Sequence, residues 1–229
     1  MIIAHNLELI KDKISVAAHN AGRNPQDIKL VAVSKLFPVE TIKEALTAGQ
    51  LVFGENYIQE LQTKRASLPP QTIFHFIGHL QSNKAKYAAE ICNMVETVDS
   101  FKLGKSLNNH LEKIHKTLDI LVQVNIGDDP QKAGVAATEV EHLLVQLNAL
   151  PQLRVCGLMT IPPLASTPEE SRPHFRNLRV LAETLTKRGL FPRIAKPELS
   201  MGMSDDFHIA IDEGATIVRV GTAIFGHRS

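Results

Sequence analysis

Eight short apolar runs recur along the chain, and amphipathic segments separate most of them. Their residues do not alternate between polar and apolar, so the runs predict strands that are covered on both faces. Such strands are typical of a parallel sheet, and eight strand–helix units close it into a (β/α)8 barrel. An open, doubly wound sheet is the main alternative, but it usually has fewer strands. The predicted strands are 29–35, 51–55, 73–78, 94–99, 120–126, 155–161, 198–201 and 217–220.

Helical spacing of apolar residues predicts an extra helix before the first strand, in 1–21, and further helices in 39–48 and 168–188. A folded chain of 229 residues buries about 70% of the surface that its unfolded form exposes, so one large core suffices. The sequence has no linker rich in Gly, Ser or Pro. We therefore predict a single domain, 1–229, built as a TIM barrel with an N-terminal helix.

The charges of the chain are nearly balanced, with 25 Lys and Arg against 24 Asp and Glu. This balance gives no basic field for nucleic acid or for an anionic membrane, so neither is an expected partner. Residues 1–21 do not predict an export signal, because charged residues interrupt the apolar stretch that such a signal needs. No apolar stretch of the sequence approaches the roughly 20 residues of a membrane span. Cys92 and Cys156 lie in apolar surroundings and fit free thiols of a reducing compartment. We expect a cytoplasmic protein.

Lys35 ends the first predicted strand, just before Pro38. An ammonium at the end of a buried strand must be paired, reach solvent or lose its proton. Losing the proton means moving the pKa from about 10.4 to about 7, at about 1.4 kcal/mol per unit. An amine tuned in this way forms Schiff bases with carbonyl compounds. The alternative is an ordinary lysine that leaves the core with its head in water.

Polar residues follow many of the predicted strands at their carboxyl ends. In (β/α)8 barrels the active groups gather on the loops at this end. The pattern therefore predicts one site at the barrel mouth and favours a functional role for Lys35. The residues expected there are Lys35, Asn56, 78–84, Asn125, Thr160, 200–204 and 219–222.

The segment after the seventh predicted strand has the features of an anion site. Gly202 lets the backbone approach a ligand, and Ser204 is predicted to be the N-cap of a helix that ends near Gly214. Gly221 and Thr222 follow the eighth strand, and the loops after strands seven and eight frequently bind phosphate in such barrels. A capped helix without a ligand is the alternative for Ser204, but the second loop favours phosphate.

Arg219 lies inside the eighth predicted strand, on the same face as Gly221. An inward guanidinium is always charged, so it must meet a carboxylate or a ligand acceptor. A ligand and a buried ion pair with an acidic residue such as Glu55 both remain open.

Two other segments are less informative. His75 and His79 could suggest a metal pair, but strand geometry separates them and no acidic third ligand follows, so no metal is expected. Lys132 lies in a turn-rich loop, 128–134, where it is either a solvated charge or an accessory contact to an anion.

Seven motifs in these segments carry a resemblance to a known family: AVSK (32–35), FGEN (53–56), HFIG (75–78), LQSNK (80–84), GLMT (157–160), LSMGMS (199–204) and VRVGTAIFG (218–226). They resemble motifs of the pyridoxal 5′-phosphate (PLP) homeostasis proteins, which are single-domain relatives of the barrel domain of bacterial alanine racemases. The resemblance covers nearly the whole chain. It departs from the family pattern at Asp129, where a glutamate is common, so the role of that loop stays open.

The resemblance implies an alanine racemase-like barrel in which Lys35 holds the aldehyde of PLP as a Schiff base. Arg219 would face the pyridine nitrogen, and Asn56 would line the ring. The phosphate would be held by Ser200, Ser204 and the backbone of Gly221 and Thr222.

The same resemblance indicates binding rather than catalysis. A guanidinium keeps the pyridine nitrogen neutral, so transamination and β-elimination are not expected. The sequence ends at Ser229, without the second domain that supplies the opposing tyrosine of the racemases, and Tyr57 and Tyr87 lie elsewhere. Because proton exchange needs a second base, we expect a protein that binds PLP reversibly and buffers it or delivers it to apo-enzymes. Without the dimerising domain of the racemases, we expect a monomer.

Two alternatives remain open. A PLP-dependent amino-acid racemase of low activity could take its missing acid from His79, His208 or Lys84. A Schiff-base aldolase could use Lys35 on a sugar phosphate, because the same barrel supports that chemistry.

Overall fold

A computed structural model of the chain describes residues 2–127, 129, 132–163 and 166–226. The strands in these residues are β1 (Lys29–Val33), β2 (Val52–Glu55), β3 (Ile73–Phe76), β4 (Met94–Val98), β5 (Leu118–Asn125), β6 (Val135–Ala136), β7 (Leu153–Met159), β8 (Glu198–Ser200) and β9 (Ile217–Val220). The α-helices are α1 (Ile2–Asn20), α2 (Val39–Thr47), α3 (Ile58–Ala66), α4 (Ala85–Ile91), α5 (Phe101–Lys113), α6 (Val140–Asn148), α7 (Arg172–Lys187), α8 (Phe207–Asp212) and α9 (Thr222–Phe225).

Eight of these strands form a closed parallel barrel. The hydrogen-bonded order runs β1–β2–β3–β4–β5–β7–β8–β9, and the pairing of β9 with β1 closes the ring. The two-residue strand β6 pairs with the end of β5 and is not part of the ring. The (β/α)8 barrel predicted from the sequence is confirmed, and each predicted strand overlaps one barrel strand.

The ends of several strands differ from the prediction. β1 ends at Val33, so Lys35 belongs to the following turn, and β3 ends at Phe76. β5 and β7 begin earlier than predicted, at Leu118 and Leu153. An apolar run locates a buried strand, but the pairing with both neighbours decides where the strand begins and ends.

Hydrophobic side chains fill both sides of the barrel wall. The larger cluster lies between the strands and the surrounding helices. Ile217 belongs to a smaller cluster inside the barrel, so alternation along β9 turns Arg219 inward as well. The members of the inner cluster are Val31, Met94, Leu121, Cys156, Met159 and Ile217.

The N-terminal helix is confirmed, and α1 packs against α2, α8 and α9. Its buried residues repeat at helical spacing, as the sequence indicated: Leu7, Ile10, Ile14 and Ala18. The predicted helix in 168–188 divides into a 3-10 turn, Pro168–Ser171, and α7. In the described ranges no helix combines the length and hydropathy that crossing a bilayer requires. The assignment of 1–229 to one domain stays a prediction.

Candidate functional site

A pocket of about 250 Å³ lies at the carboxyl ends of β1, β2, β3, β7, β8 and β9. Pockets for drug-sized ligands measure roughly 300–1,000 Å³, so this one suits a smaller molecule. Six residues that the sequence assigned to one site line it: Lys35, Asn56, Ser204, Arg219, Gly221 and Thr222. The apolar part of the lining is Val33, Ile77, Ile161 and Met203.

Lys35 reaches the pocket from the turn that follows β1. Alternation along the strand places Val31, Val33 and Lys35 on the inner face and Ser34 on the outer face. Ser34 is fully buried and Lys35 is half-buried, whereas Leu36 is exposed. Leu36 has a φ of +66°, a left-handed conformation that is uncommon for a residue other than glycine. The backbone therefore turns sharply at the lysine.

Arg219 lies below Lys35 on the inner wall and is only 3% exposed. Its Nη1 donates to Ser200 Oγ at 2.6 Å, and its Nη2 donates to the carbonyl of Thr160 at 2.9 Å. Ser200 Oγ in turn donates to Glu96 Oε2 at 2.5 Å. The ion pair with Glu55 that the sequence left open is not found in the described part of the chain. We call Arg219, Ser200, Glu96 and the next member, His75, the inner chain.

The charges of the inner chain stabilise one another. Burial alone would raise the pKa of Glu96, but the hydrogen bond and electrostatic interaction with His75, the charge of Arg219 and the hydroxyl of Ser200 hold it below its usual range. His75 Nδ1 lies 2.6 Å from Glu96 Oε1. Burial lowers the pKa of Arg219, and the carboxylates of Glu96 and Asp206 oppose that change. The site therefore contains a desolvated guanidinium with a carboxylate behind it.

Ser200 does not belong to the pocket lining, although the sequence assigned it to the phosphate. Its side chain is fully buried, and its hydroxyl is used within the inner chain. Sequence reasoning missed Glu96, and it considered His75 only as a possible metal ligand and as part of a family motif. The signal was present, because Glu96 and Arg219 are charges of opposite sign in the middle of two buried strands.

The loops after β8 and β9 meet at the pocket. Thr222 Oγ1 donates to Ser204 Oγ at 3.2 Å, so the two hydroxyls could bind the same anion. Gly202 has a φ of +91°, and a Cβ there would lie 2.5 Å from Ala210 Cβ and 2.9 Å from Phe207 Cα. Only glycine fits this position, because the backbone packs directly on α8.

Ser204 is not the N-cap that the sequence predicted. The helix α8 begins at Phe207, and Asp206 holds the capping position. Asp206 Oδ1 accepts a hydrogen bond from the backbone N–H of Met203 at 2.7 Å, which closes a turn before the helix. This turn delays the start of the helix and leaves Ser204 half-buried in the lining.

Asn56 presents a buried acceptor at the pocket. Within the described residues, its Oδ1 has no hydrogen-bond partner. A buried oxygen in this state costs roughly 1–3 kcal/mol unless a ligand or water binds it. The pocket therefore offers an amine, a guanidinium, an amide, the carboxylate of Asp205 and two hydroxyl-bearing loops to one small ligand.

The remaining candidates lie outside this lining. His75 is buried in the inner chain, whereas the side chain of His79 is 64% exposed, so the two do not form a metal pair. Lys132 Nζ donates to the carbonyl of Pro162 at 2.7 Å and borders a neighbouring pocket. In the same loop, Asp128, Pro130 and Gln131 lie outside the described residues. Two further predicted mouth residues make polar contacts of their own, Asn125 to Asp129 and Thr160 to Val124.

The sequence matches the family described as the alanine racemase N-terminal domain over residues 3–229. A curated pyridoxal phosphate homeostasis protein of Escherichia coli (strain K12) is 42% identical to this chain over 230 residues. The alignment covers 99% of this chain and 97% of that protein.

Solved structures agree with this match. PipY of Synechococcus elongatus PCC7942, with PLP bound, is 36% identical with a TM-score of 0.85, and the alignment covers 98% of this chain and all of PipY. An alanine racemase of Clostridium difficile 630 shares the fold at 18% identity and a TM-score of 0.73, over 99% of this chain and 56% of that one. The family suggested by the sequence motifs is thus confirmed. The chain belongs to the alanine racemase N-terminal domain family and, within it, to the pyridoxal phosphate homeostasis proteins.

Proposed function

We propose that this chain binds PLP as a Schiff base on Lys35 and serves the intracellular homeostasis and delivery of PLP without catalytic turnover. One observation carries the proposal: Lys35, Arg219 and the hydroxyls of Ser204 and Thr222 line a single small pocket. The PLP-bound state of PipY and the name of the curated relatives support PLP as the ligand.

The lining fits the chemical groups of PLP. The amine of Lys35 would attack the aldehyde carbon, a C=N bond would form, and the aldehyde oxygen would leave as water without any redox change. Arg219 would donate to the pyridine nitrogen, and Asn56 would bind the ring hydroxyl. The apolar residues of the lining would cover the ring.

The phosphate would be held by the two loops that meet at the pocket. Ser204 and Thr222 would supply hydroxyls, and Gly221 and Thr222 would supply backbone N–H groups. Ser200 lies outside the lining, so we propose that it affects the ligand through Arg219.

Two features support binding without turnover. Glu96 behind Arg219 favours the charged guanidinium, which gives the pyridine nitrogen no proton and so limits carbanion stabilisation. The candidate acids of a racemase do not line this pocket in the described structure. His79 and Lys84 border an adjacent pocket of about 180 Å³ that shares Asn56 with this one, and His208 borders a groove beside α1 that shares Ser204.

Borohydride reduction followed by peptide mapping tests the linkage. Hydride converts the C=N bond to a stable secondary amine, so we expect a pyridoxyl group on the peptide of Lys35. Lys35→Ala should lose the visible absorption band of the imine and keep the fold. Lys29→Ala, at the opposite end of the same strand, is the matched control and should keep the band. A band that survives in Lys35→Ala contradicts the proposal.

The alternatives predict different outcomes. Rapid, stereo-inverting exchange of the Cα proton of amino acids with solvent deuterium would favour a racemase. A sugar phosphate trapped on Lys35 by borohydride, with no pyridoxyl group, would favour an aldolase.

We further propose that the protein is a cytoplasmic monomer that passes PLP to apo-enzymes. The free thiols of Cys92 and Cys156 support a reducing compartment. Size-exclusion chromatography tests the monomer. Delivery is tested by the recovery of activity of an apo-enzyme mixed with the loaded protein, compared with the same concentration of free PLP.

A further inference from the structure

We propose that Lys64 and Glu60 are positioning residues, which hold the turn of Lys35 in the shape that Schiff-base formation requires. This inference rests on the proposed function, because it concerns how Lys35 meets PLP. Both residues lie on α3, outside the barrel, and neither lines the described pocket. They act on the backbone on either side of Lys35.

Lys64 is a buried cation with three acceptors. It is 4% exposed, and its Nζ donates to the carbonyl of Ser34 at 2.7 Å and to Glu55 Oε1 at 2.6 Å. Glu60 Oε1 lies 2.6 Å from the same nitrogen. An ammonium has three N–H donors, so these contacts satisfy it fully. We call Lys64, Glu55 and Glu60 the outer cluster.

Glu60 holds the other side of the turn. Its Oε1 accepts the backbone N–H of Leu36 at 2.6 Å. The N–H of Phe37 donates to the carbonyl of Ser34 at 3.1 Å, so residues 34–37 form a turn with Leu36 at its third position. That position has a positive φ, which normally calls for glycine, and a leucine there is strained by about 1–2 kcal/mol.

The serine before the lysine is held as well. Ser34 Oγ donates to Glu55 Oε1 at 2.7 Å, and Glu55 is fully buried. Side chains of the outer cluster therefore bind the hydroxyl and the carbonyl of Ser34 and the N–H of Leu36. Lys35 lies between these anchored residues, with its own side chain directed to the opposite face of the strand.

A fixed turn matters for a lysine that must react. Its side chain has many rotamers, and their loss on ordering costs up to about 2 kcal/mol. Holding the amine and the carbonyl carbon in reacting geometry can raise the effective concentration by many orders of magnitude. A turn that moves by about 1 Å loses part of that gain.

Fold stability alone is a weak explanation for the outer cluster. Buried ionic groups are often no more stabilising than apolar groups of the same size. Gln50 joins the same two strands at their amino ends without any charge, through the carbonyls of Leu30 at 2.9 Å and Val52 at 2.7 Å. The charged outer cluster, in contrast, lies at the carboxyl ends of these two strands, next to Lys35.

The test compares two ligands on the full chain. PLP carries the aldehyde, whereas pyridoxine 5′-phosphate carries an alcohol in its place and cannot form the C=N bond. We expect Lys64→Met and Glu60→Leu to weaken PLP binding about tenfold or more, the factor for losing a hydrogen bond to a charged group. Binding of pyridoxine 5′-phosphate should stay unchanged.

Two further variants separate positioning from general stability. Glu60→Gln keeps an oxygen for the N–H of Leu36 and should restore most of the PLP affinity that Glu60→Leu loses. Gln50→Leu should lower the urea midpoint of unfolding without changing the ratio of the two affinities. If Lys64→Met does not fold, Glu60→Leu carries the test, because the Glu60 side chain is 21% exposed.

An equal loss for both ligands, or no loss for PLP, overturns the positioning role. A wild-type protein that binds both ligands equally and shows no imine band overturns the proposed function itself, and the inference with it. The wild-type titration therefore distinguishes the two failures.

Discussion

Arg219 and Lys64 are both buried cations next to the pocket, but they are held in different ways. Arg219 points into the barrel and reaches a carboxylate through the hydroxyl of Ser200. Lys64 lies between the strands and the helices and binds the backbone carbonyl of Ser34 directly. The inner chain thus keeps a charge at one wall of the pocket, and the outer cluster keeps the shape of one turn.

The net pKa shifts of the two buried carboxylates, Glu96 and Glu55, have opposite signs. Glu96 has a pKa below its usual range, because the contacts of His75, Arg219 and Ser200 outweigh desolvation. Desolvation raises the pKa of Glu55, and Lys64 and Ser34 only partly offset it. The balance between desolvation and the neighbouring groups therefore sets the direction of each pKa shift.

The largest expected effect comes from breaking the inner chain. Glu96→Leu removes the carboxylate that Arg219 reaches through Ser200, leaves only Asp206 to oppose the burial of the guanidinium, and should lower the free energy of unfolding by about 3–5 kcal/mol. Glu96→Gln keeps the size of the side chain and one acceptor oxygen, for either His75 or Ser200, and should lose clearly less. Urea unfolding of both variants measures the difference. If they lost the same amount, packing rather than charge would explain the role of Glu96.

The barrel strands and part of the pocket lining could be predicted from the sequence. Apolar runs located all eight barrel strands, and the rule that active groups follow such strands brought Lys35, Asn56 and Arg219 to one pocket. Both predictions depend only on the order of the strands along the chain. A parallel barrel places the carboxyl ends of its strands together, so residues that follow those ends meet at one site.

The pairing of buried charges was not predictable in the same way. Arg219, Ser200 and Glu96 lie on three different strands, β9, β8 and β4, and β4 lies across the barrel from the other two. The hydrogen bonds connect Arg219 to Glu96 only through the hydroxyl of Ser200. The contact of Lys64 with Ser34 joins residues on a helix and on a turn. Ser204 is not the N-cap, because Asp206, two positions later, accepts the backbone N–H of Met203 and holds the capping position itself. These outcomes depend on side-chain distances that spacing along the sequence does not encode.

A pair of serines sharpens the distinction between lining and support. Ser204→Ala removes a hydroxyl from the side of the pocket where we propose that the phosphate binds, and should weaken PLP binding by about 1–3 kcal/mol, the range for hydrogen bonds that involve charged groups. Ser200→Ala should instead lower the free energy of unfolding, because it interrupts the inner chain. Isothermal titration and urea unfolding of both variants test this assignment. Unchanged PLP affinity in Ser204→Ala would remove Ser204 from the site.

The smallest expected effect is a difference in pH dependence between the two carboxylates. The folded pKa of Glu96 is lowered, so its contribution to stability is present above the unfolded value of about 4.3 and is lost as the pH falls through the folded pKa. The folded pKa of Glu55 is raised, so its contribution favours the fold at low pH and declines as the pH rises from about 4.3.

Urea unfolding between about pH 3 and pH 7 separates these two cases. The stability of the wild type relative to Glu96→Gln should fall as the pH is lowered, whereas its stability relative to Glu55→Gln should rise. A folded pKa that differs from the unfolded one by about 1 changes stability by about 1.4 kcal/mol, so opposite slopes are measurable even for modest differences. Parallel slopes would mean that Lys64 keeps Glu55 ionised as firmly as His75 and Arg219 keep Glu96. The outer cluster would then hold a full negative charge beside the turn of Lys35, and its effect on that lysine would be electrostatic as well as geometric.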